Sequence, residues 1–236
     1  MKFNIFKSSV IGYKNLVKGS ESQDYIDYKE DDKYIICSVA DGHSTDFFKH
    51  SLEGARFACK ASIEVLSENF DMDIKKLKEK LINYEIQKKI ESRWRSLVEE
   101  HYKKKYSTTL LSVLITDSFI LYLKLGDGDI VLKSKDEYKV VINTRNNLTV
   151  DSLGREGEYR HIMYSLEKIE ENESISIAYS NAFKNKLDLF NSIESTLQEY
   201  NKSIFSRFRL VNTYVNYLNS ISKNITHDDI SIVFIV

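Results

Sequence analysis

Four aspartates and one asparagine recur where apolar runs begin or end. Asp41 closes the run Tyr34-Ile35-Ile36-Cys37-Ser38-Val39-Ala40 and is followed by Gly42 and His43. Asp24 opens the run Tyr25 to Lys29, Asp127 sits in the turn Gly126-Asp127-Gly128-Asp129, and Asp228 stands just before Ile230-Ser231-Ile232-Val233-Phe234. Asn181 follows the alternating run Ser174 to Ser180. In an antiparallel sheet the end of one strand lies beside the start of its neighbour, so all five positions can share one rim. Carboxylates gathered on a rim repel one another unless a cation neutralises them. Oxygen ligands with little His or Cys suit Mg²⁺ or Mn²⁺ better than Zn²⁺. A pair of such ions can activate water for hydrolysis of a phosphate ester without a protein nucleophile. Gly42 frees the backbone to turn or to offer its carbonyl to a ligand, and His43 adds a titratable group. Plainer readings stand beside these: Asp41 as a cap of the following helix, and Gly126 to Asp129 as an ordinary hairpin turn.

Composition narrows the class. The chain has 236 residues, 42% of them hydrophobic and 12% aromatic, which is enough for one large domain over 1–236 of a soluble globular protein. No apolar run approaches the roughly 18 residues of a membrane span, and the first residues lack a signal-peptide pattern, so the expectation is a cytoplasmic protein. A net charge of −1 offers no global attraction to nucleic acid or anionic lipid. Cys37 and Cys59 lack metal-ligand spacing and read as small buried hydrophobes.

The elements that must carry these residues are legible from periodicity. Strands are expected over 3–12, 25–29 and 34–41, with 15–24 as a polar connection. A helix follows over 46–70, then a long one over 74–102 with Leu77, Leu81, Ile90, Trp94 and Val98 on its apolar stripe. An antiparallel meander is expected over 109–116, 118–125, 129–133 and 138–142. Residues 143–173, mixed and polar, read as a flap or long loop. A strand over 174–180, helices over 186–200 and 204–222, and a core strand over 230–236 complete the order.

The succession Gln23-Asp24, Val39-Ala40-Asp41-Gly42-His43-Ser44, Thr108-Thr109-Leu110-Leu111, Leu125-Gly126-Asp127-Gly128-Asp129 and Asp228-Asp229-Ile230-Ser231-Ile232-Val233 resembles the PP2C (PPM) family of metal-dependent protein Ser/Thr phosphatases. The resemblance covers nearly the whole chain and is closest to the bacterial PP2C-like branch. It implies an α+β fold, a four-layer α/β/β/α sandwich of two antiparallel sheets with helices on both outer faces. It also implies roles: Asp41 bridging two Mn²⁺ or Mg²⁺ ions, Gly42 ligating through its carbonyl, Asp228 holding the first ion, Asp24 contacting metal-bound water, Asp127 serving a third ion, and His43 as general acid. Two positions depart from the family pattern. Asn181 replaces a ligand aspartate, and Gly19, with Lys18 adjacent, stands where many members have a phosphate-gripping arginine. An amide oxygen can ligate without contributing charge, and Lys18 can bind phosphate as a point charge. The implied partner is a phosphorylated protein, with a cognate Ser/Thr kinase beside it, and neither nucleic acid nor membrane. The alternative is a pseudophosphatase, a phosphoprotein-binding module whose metal site Asn181 weakens.

Overall fold

Strand formation begins with runs that are apolar on both faces. Along 34–41 the side chains of Tyr34, Ile36 and Ala40 enter one core cluster, while Ile35, Cys37 and Val39 enter another. Side chains alternate along a strand, so such a run belongs to a sheet covered on both faces. The computed structural model describes residues 4–134, 137–143, 151–169, 173–179 and 186–235. In chain order its elements are β1 (Ile5–Val10), α1 (Tyr13–Lys18), β2 (Asp24–Asp31), β3 (Tyr34–Asp41), α2 (Ser51–Ser67), α3 (Ile74–Ile82) and α4 (Glu85–Leu97). Then come β4 (Leu110–Thr116), β5 (Phe119–Leu125), β6 (Asp129–Ser134), β7 (Glu137–Val140), β8 (Met163–Lys168), β9 (Glu173–Tyr179), α5 (Lys186–Lys202), α6 (Ile204–Ile221) and β10 (Ile230–Ile235).

The strands form two five-stranded antiparallel sheets, one in the order β2-β3-β4-β5-β8 and the other in the order β1-β10-β9-β6-β7. Three apolar clusters show how the layers stack. Ala55, Leu66, Leu81, Ile90 and Trp94 from α2, α3 and α4 cover the first sheet. Val113, Ile120, Ile130 and Val233 fill the space between the sheets. Ile193, Leu197, Tyr214 and Leu218 from α5 and α6 cover the second sheet, against Phe6, Ile232 and Phe234. The expected four-layer α/β/β/α sandwich is therefore the observed architecture. No helix among the described residues is long and apolar enough to cross a membrane.

Local differences have physical causes. The long helix expected over 74–102 breaks at Tyr84, whose φ of 59° is left-handed. The break lets α3 and α4 fold back so that Leu77, Leu81, Ile86 and Ile90 all face one cluster. The segment after α4 is a 3₁₀ helix over Glu100–Tyr106. Helix α1 runs into the connection expected over 15–24, and the stretch read as a flap contains β8, which pairs with β5 at the sheet edge. Helix α2 begins at Ser51, not near residue 46. Its Gly54 lies against Tyr106, and a Cβ built there would collide with the Tyr106 carbonyl oxygen. The Gly54 carbonyl also accepts from Trp94 Nε1 at 3.0 Å. Because the obstacle is backbone, Gly54→Ala is expected to cost about 3 kcal/mol or more. Urea unfolding of the two proteins measures this, and an unchanged midpoint would show that α2 can shift away from Tyr106.

Candidate metal centre

The β2–β3 pairing sets Asp24 directly opposite Asp41 at the end of the ladder. Asp24 is buried, and neither of its carboxyl oxygens has a hydrogen-bond partner among the described residues. The Asp41 backbone is fixed from below. Its N–H donates to Thr109 Oγ1 at 3.1 Å, and its carbonyl accepts from Thr109 N–H at 2.9 Å and from Thr108 Oγ1 at 2.9 Å. The pair Thr108-Thr109 thus holds the strand end that aims Asp41. Gly42 donates to the Gln23 carbonyl at 3.1 Å. A Cβ on Gly42 would lie 2.5 Å from the Ser51 carbonyl oxygen, so the first turn of α2 leaves no room for a side chain.

Asp127 comes from the β5–β6 turn, where Gly126 and Gly128 take φ of 92° and 84°. A buried lysine supports that turn from inside. Lys124 Nζ donates to the carbonyls of Gly128 and Ile142 and lies 3.5 Å from Asp129 Oδ1. Asp228 and Asp229 arrive just ahead of β10. Asp229 accepts from the Gly12 N–H, from Asn15 Nδ2 at 3.0 and 3.1 Å, and from the Gln23 N–H at 2.7 Å, so both its oxygens are occupied. Asp228 is half exposed, and its Oδ1 pairs with Lys14 Nζ at 2.7 Å; that ammonium also donates to Ser44 Oγ at 3.0 Å.

The electrostatics follow from this crowding. Burial, together with the charges of Asp228 and Asp127, pushes the Asp41 carboxyl up to about 7. Burial first, then Asp41 and Asp229, pushes Asp24 well above the usual carboxylate range. Burial holds His43 below its ordinary value, against the opposing pull of Asp127. His43 Nε2 contacts Ser152 Oγ at 3.0 Å, and its ring packs on Phe48 with centroids 4.8 Å apart. Carboxylates that must carry protons in the absence of a counter-ion, with orphaned buried oxygens and no sulfur among them, suit a hard divalent cation.

The structure thus gathers Asp24 and Asp41 at one strand end, within electrostatic reach of Asp127 and Asp228, with Gly42 and His43 adjoining. Lys18, at the end of α1, lines a cleft of about 510 Å³ that His43, Ser44 and Lys49 also line. Asn181 lies outside the described residues. Sequence reasoning missed Lys14, Lys124, the buried role of Asp229, and Ser152. Lys124 interrupts an apolar strand and Asp229 forms an acidic doublet, and both were signals. Lys14 and Ser152 carried none. A second group, Asp151, Glu158 and His161, has ligand atoms all within 4.8 Å of one another, with His161 Nδ1 pairing Asp151 Oδ1 at 2.9 Å.

The family described as "Protein phosphatase 2C" matches residues 11–194. No curated protein sequence matches the chain. Among solved structures, the serine/threonine phosphatase of S. agalactiae superposes with a TM-score of 0.69 at 15% identity, covering 99% of each chain. The serine-threonine phosphatase 2C of Toxoplasma gondii does so at 0.65 and 13% identity, covering 99% of this chain and 94% of that one. RsbX in complex with magnesium superposes at 0.56 and 15% identity, also covering 99% and 94%.

Raised carboxyl values have a consequence for stability. An acid that holds its proton more tightly in the folded state than the unfolded one binds more protons when folded. Stability then falls as pH rises from the unfolded value near 4 through the folded one. For Asp41 that window ends at about 7. His43, being lowered, gives an opposing slope only below its ordinary value near 6.5. The metal-free protein is therefore expected to melt at lower temperature at pH 8 than at pH 5, with Asp41→Asn flattening the difference and added Mn²⁺ restoring stability at pH 8. A melting profile in chelator that rises across this range would contradict the electrostatics.

Proposed function

Because the chain belongs to the protein phosphatase 2C family of protein serine/threonine phosphatases, we propose that it hydrolyses phosphoserine and phosphothreonine in proteins with the help of two Mn²⁺ or Mg²⁺ ions. The observation that carries this reading is the pair Asp24 and Asp41: opposite in register, Asp24 buried with no hydrogen bond of normal geometry to either oxygen among the described residues, and Asp41 half-buried and raised by desolvation and then by its acidic neighbours. In this reading Asp41, the Gly42 carbonyl and Asp228 would hold the ions, Asp24 would act through their water, Asp127 would serve a third, and Asn181 would stand as a neutral amide where the family has a ligand aspartate. Magnesium in the structure of RsbX supports the choice of a hard cation. When bound, such ions stabilise phosphoryl charge and lower the pKa of water.

The chain's own groups do the rest. The Thr108-Thr109 pair keeps Asp41 aimed, and the glycine-flanked turn over Lys124 presents Asp127. Lys18 and Lys14 bring positive charge to the cleft rim, where a phosphate dianion enters. His43, beside the strand end, delivers a proton to the departing seryl or threonyl oxygen. The partner in this reading is a phosphoprotein, and a kinase of opposite action supplies it.

Hydrolysis of p-nitrophenyl phosphate and of a phosphothreonine peptide against Mn²⁺ concentration tests the proposal. Asp41→Ala is expected to lower turnover by about two orders of magnitude or more and to abolish calorimetric Mn²⁺ binding, with Asp228→Ala weakening both. A wild type that neither binds millimolar Mn²⁺ nor hydrolyses either substrate would sink the two-ion reading.

Replacing the neutral amide at 181 by a carboxylate strengthens attraction to a divalent ion. Asn181→Asp is therefore expected to tighten Mn²⁺ binding and to raise activity more at limiting than at saturating metal. An unchanged metal dependence would remove position 181 from the ligand set.

A further inference from the structure

Three short segments meet beside His43 outside the two main sheets. Gly42 bridges Thr108, and Thr108 bridges Leu153, both antiparallel. The second bridge has reciprocal bonds, Leu153 N–H to the Thr108 carbonyl at 2.8 Å and Thr108 N–H to the Leu153 carbonyl at 3.1 Å. Leu153 is fully buried, so the ladder is anchored in the core. It places Ser107 beside Ser152, with their hydroxyl oxygens 2.8 Å apart. Ser152 Oγ lies 3.0 Å from His43 Nε2, and the His43 N–H donates to the Ser107 carbonyl at 3.2 Å. Gly154, at a φ of 149°, brings its backbone close in; a Cβ there would stand 2.8 Å from Ser107 Oγ. Phe48 limits the ring on another side.

We propose that Ser152, steadied by Ser107, is a positioning residue that orients the His43 imidazole for proton delivery to the leaving oxygen; this rests on the phosphatase reading above. A hydroxyl can donate to Nε2 or accept from it, so the contact survives a change of proton at the ring. It engages Nε2, and no hydrogen bond among the described residues engages Nδ1, the nitrogen that would then carry the proton to be delivered. In the reaction a water oxygen forms the new bond to phosphorus. The bond to the seryl or threonyl oxygen breaks with its electron pair on that oxygen, which takes the Nδ1 proton of the imidazolium and leaves the ring neutral. A proton lost by the water returns to His43. The products are the alcohol and inorganic phosphate.

Orientation of an acid matters most where the leaving oxygen is poor. Ser152→Ala is expected to lower kcat on phenyl phosphate by about tenfold to a hundredfold, with KM unchanged, and to leave p-nitrophenyl phosphate nearly untouched. Ser152→Thr, which keeps the hydroxyl, restores the rate. In a His43→Ala background Ser152→Ala changes nothing further, since its route of action is gone. Equal loss on both substrates, or a loss that persists without His43, would overturn the proposal. If the wild type hydrolyses neither ester, the phosphatase reading fails, and the His43 ring ¹⁵N resonances still decide the contact. A shift at Nε2 on Ser152→Ala supports the orientation, and identical resonances refute it.

Discussion

A carboxylate taken out of water costs several kcal/mol unless donors or a cation replace its hydration. At the rim of this sandwich two neighbouring aspartates meet that requirement in opposite ways. Asp229 collects donors from Gly12, Asn15 and Gln23 on both oxygens, and so joins the segment before β10 to α1 and to the entry of β2. Asp24, within electrostatic reach of it, has no hydrogen bond of normal geometry among the described residues, with the Ser231 and Asp41 side chains as its polar neighbours. The first ties the start of β10 in one sheet to the segment that enters β2 in the other. The second is left unsatisfied by the protein itself, and everything proposed for the site depends on that difference.

The rest of the rim distributes charge around it. Lys14 sits on Asp228, and Lys124, under the turn that bears Asp127, lies beside Asp129, so two acids of the outer rim each have a cation close by. Asp41 and Asp24 do not, and burial raises both. In the proposed reading a divalent ion would answer that crowding at the inner pair, while Lys14 and Lys124 already balance acids of the outer rim.

Much of the fold was legible because β3, β4, β5 and β10 are apolar on both faces, a pattern that only a sheet covered on both sides explains. The acids at strand ends followed from the same runs. Other features stayed hidden for identifiable reasons. Strand β8 is half-buried along most of its length and lacks the apolar contrast that marks a core strand. Tyr84 adopts a left-handed φ that its residue type does not announce, so a helical periodicity running through it looked continuous. Lys14 and Ser152 matter through partners 214 and 109 positions away, and periodicity says nothing of such pairings. Asp229 was visible as half of a doublet. That it is the half which braces the rim was decided only by the donors that surround it.

Those same donors bear on how the molecule is made. Asp229 is 217 positions from Gly12, and β10 lies between β1 and β9 in its sheet. During synthesis the segment from Gly12 to Gln23 emerges early, yet its polar groups acquire their buried acceptor only after β10 has left the ribosome. Until then the nascent rim has neither its brace nor Asp228, and the first sheet can assemble with its helices while the site remains open. Asp24 and Asp41 are therefore made long before the acid that braces their rim, and the rim closes only when β10 has paired between β1 and β9.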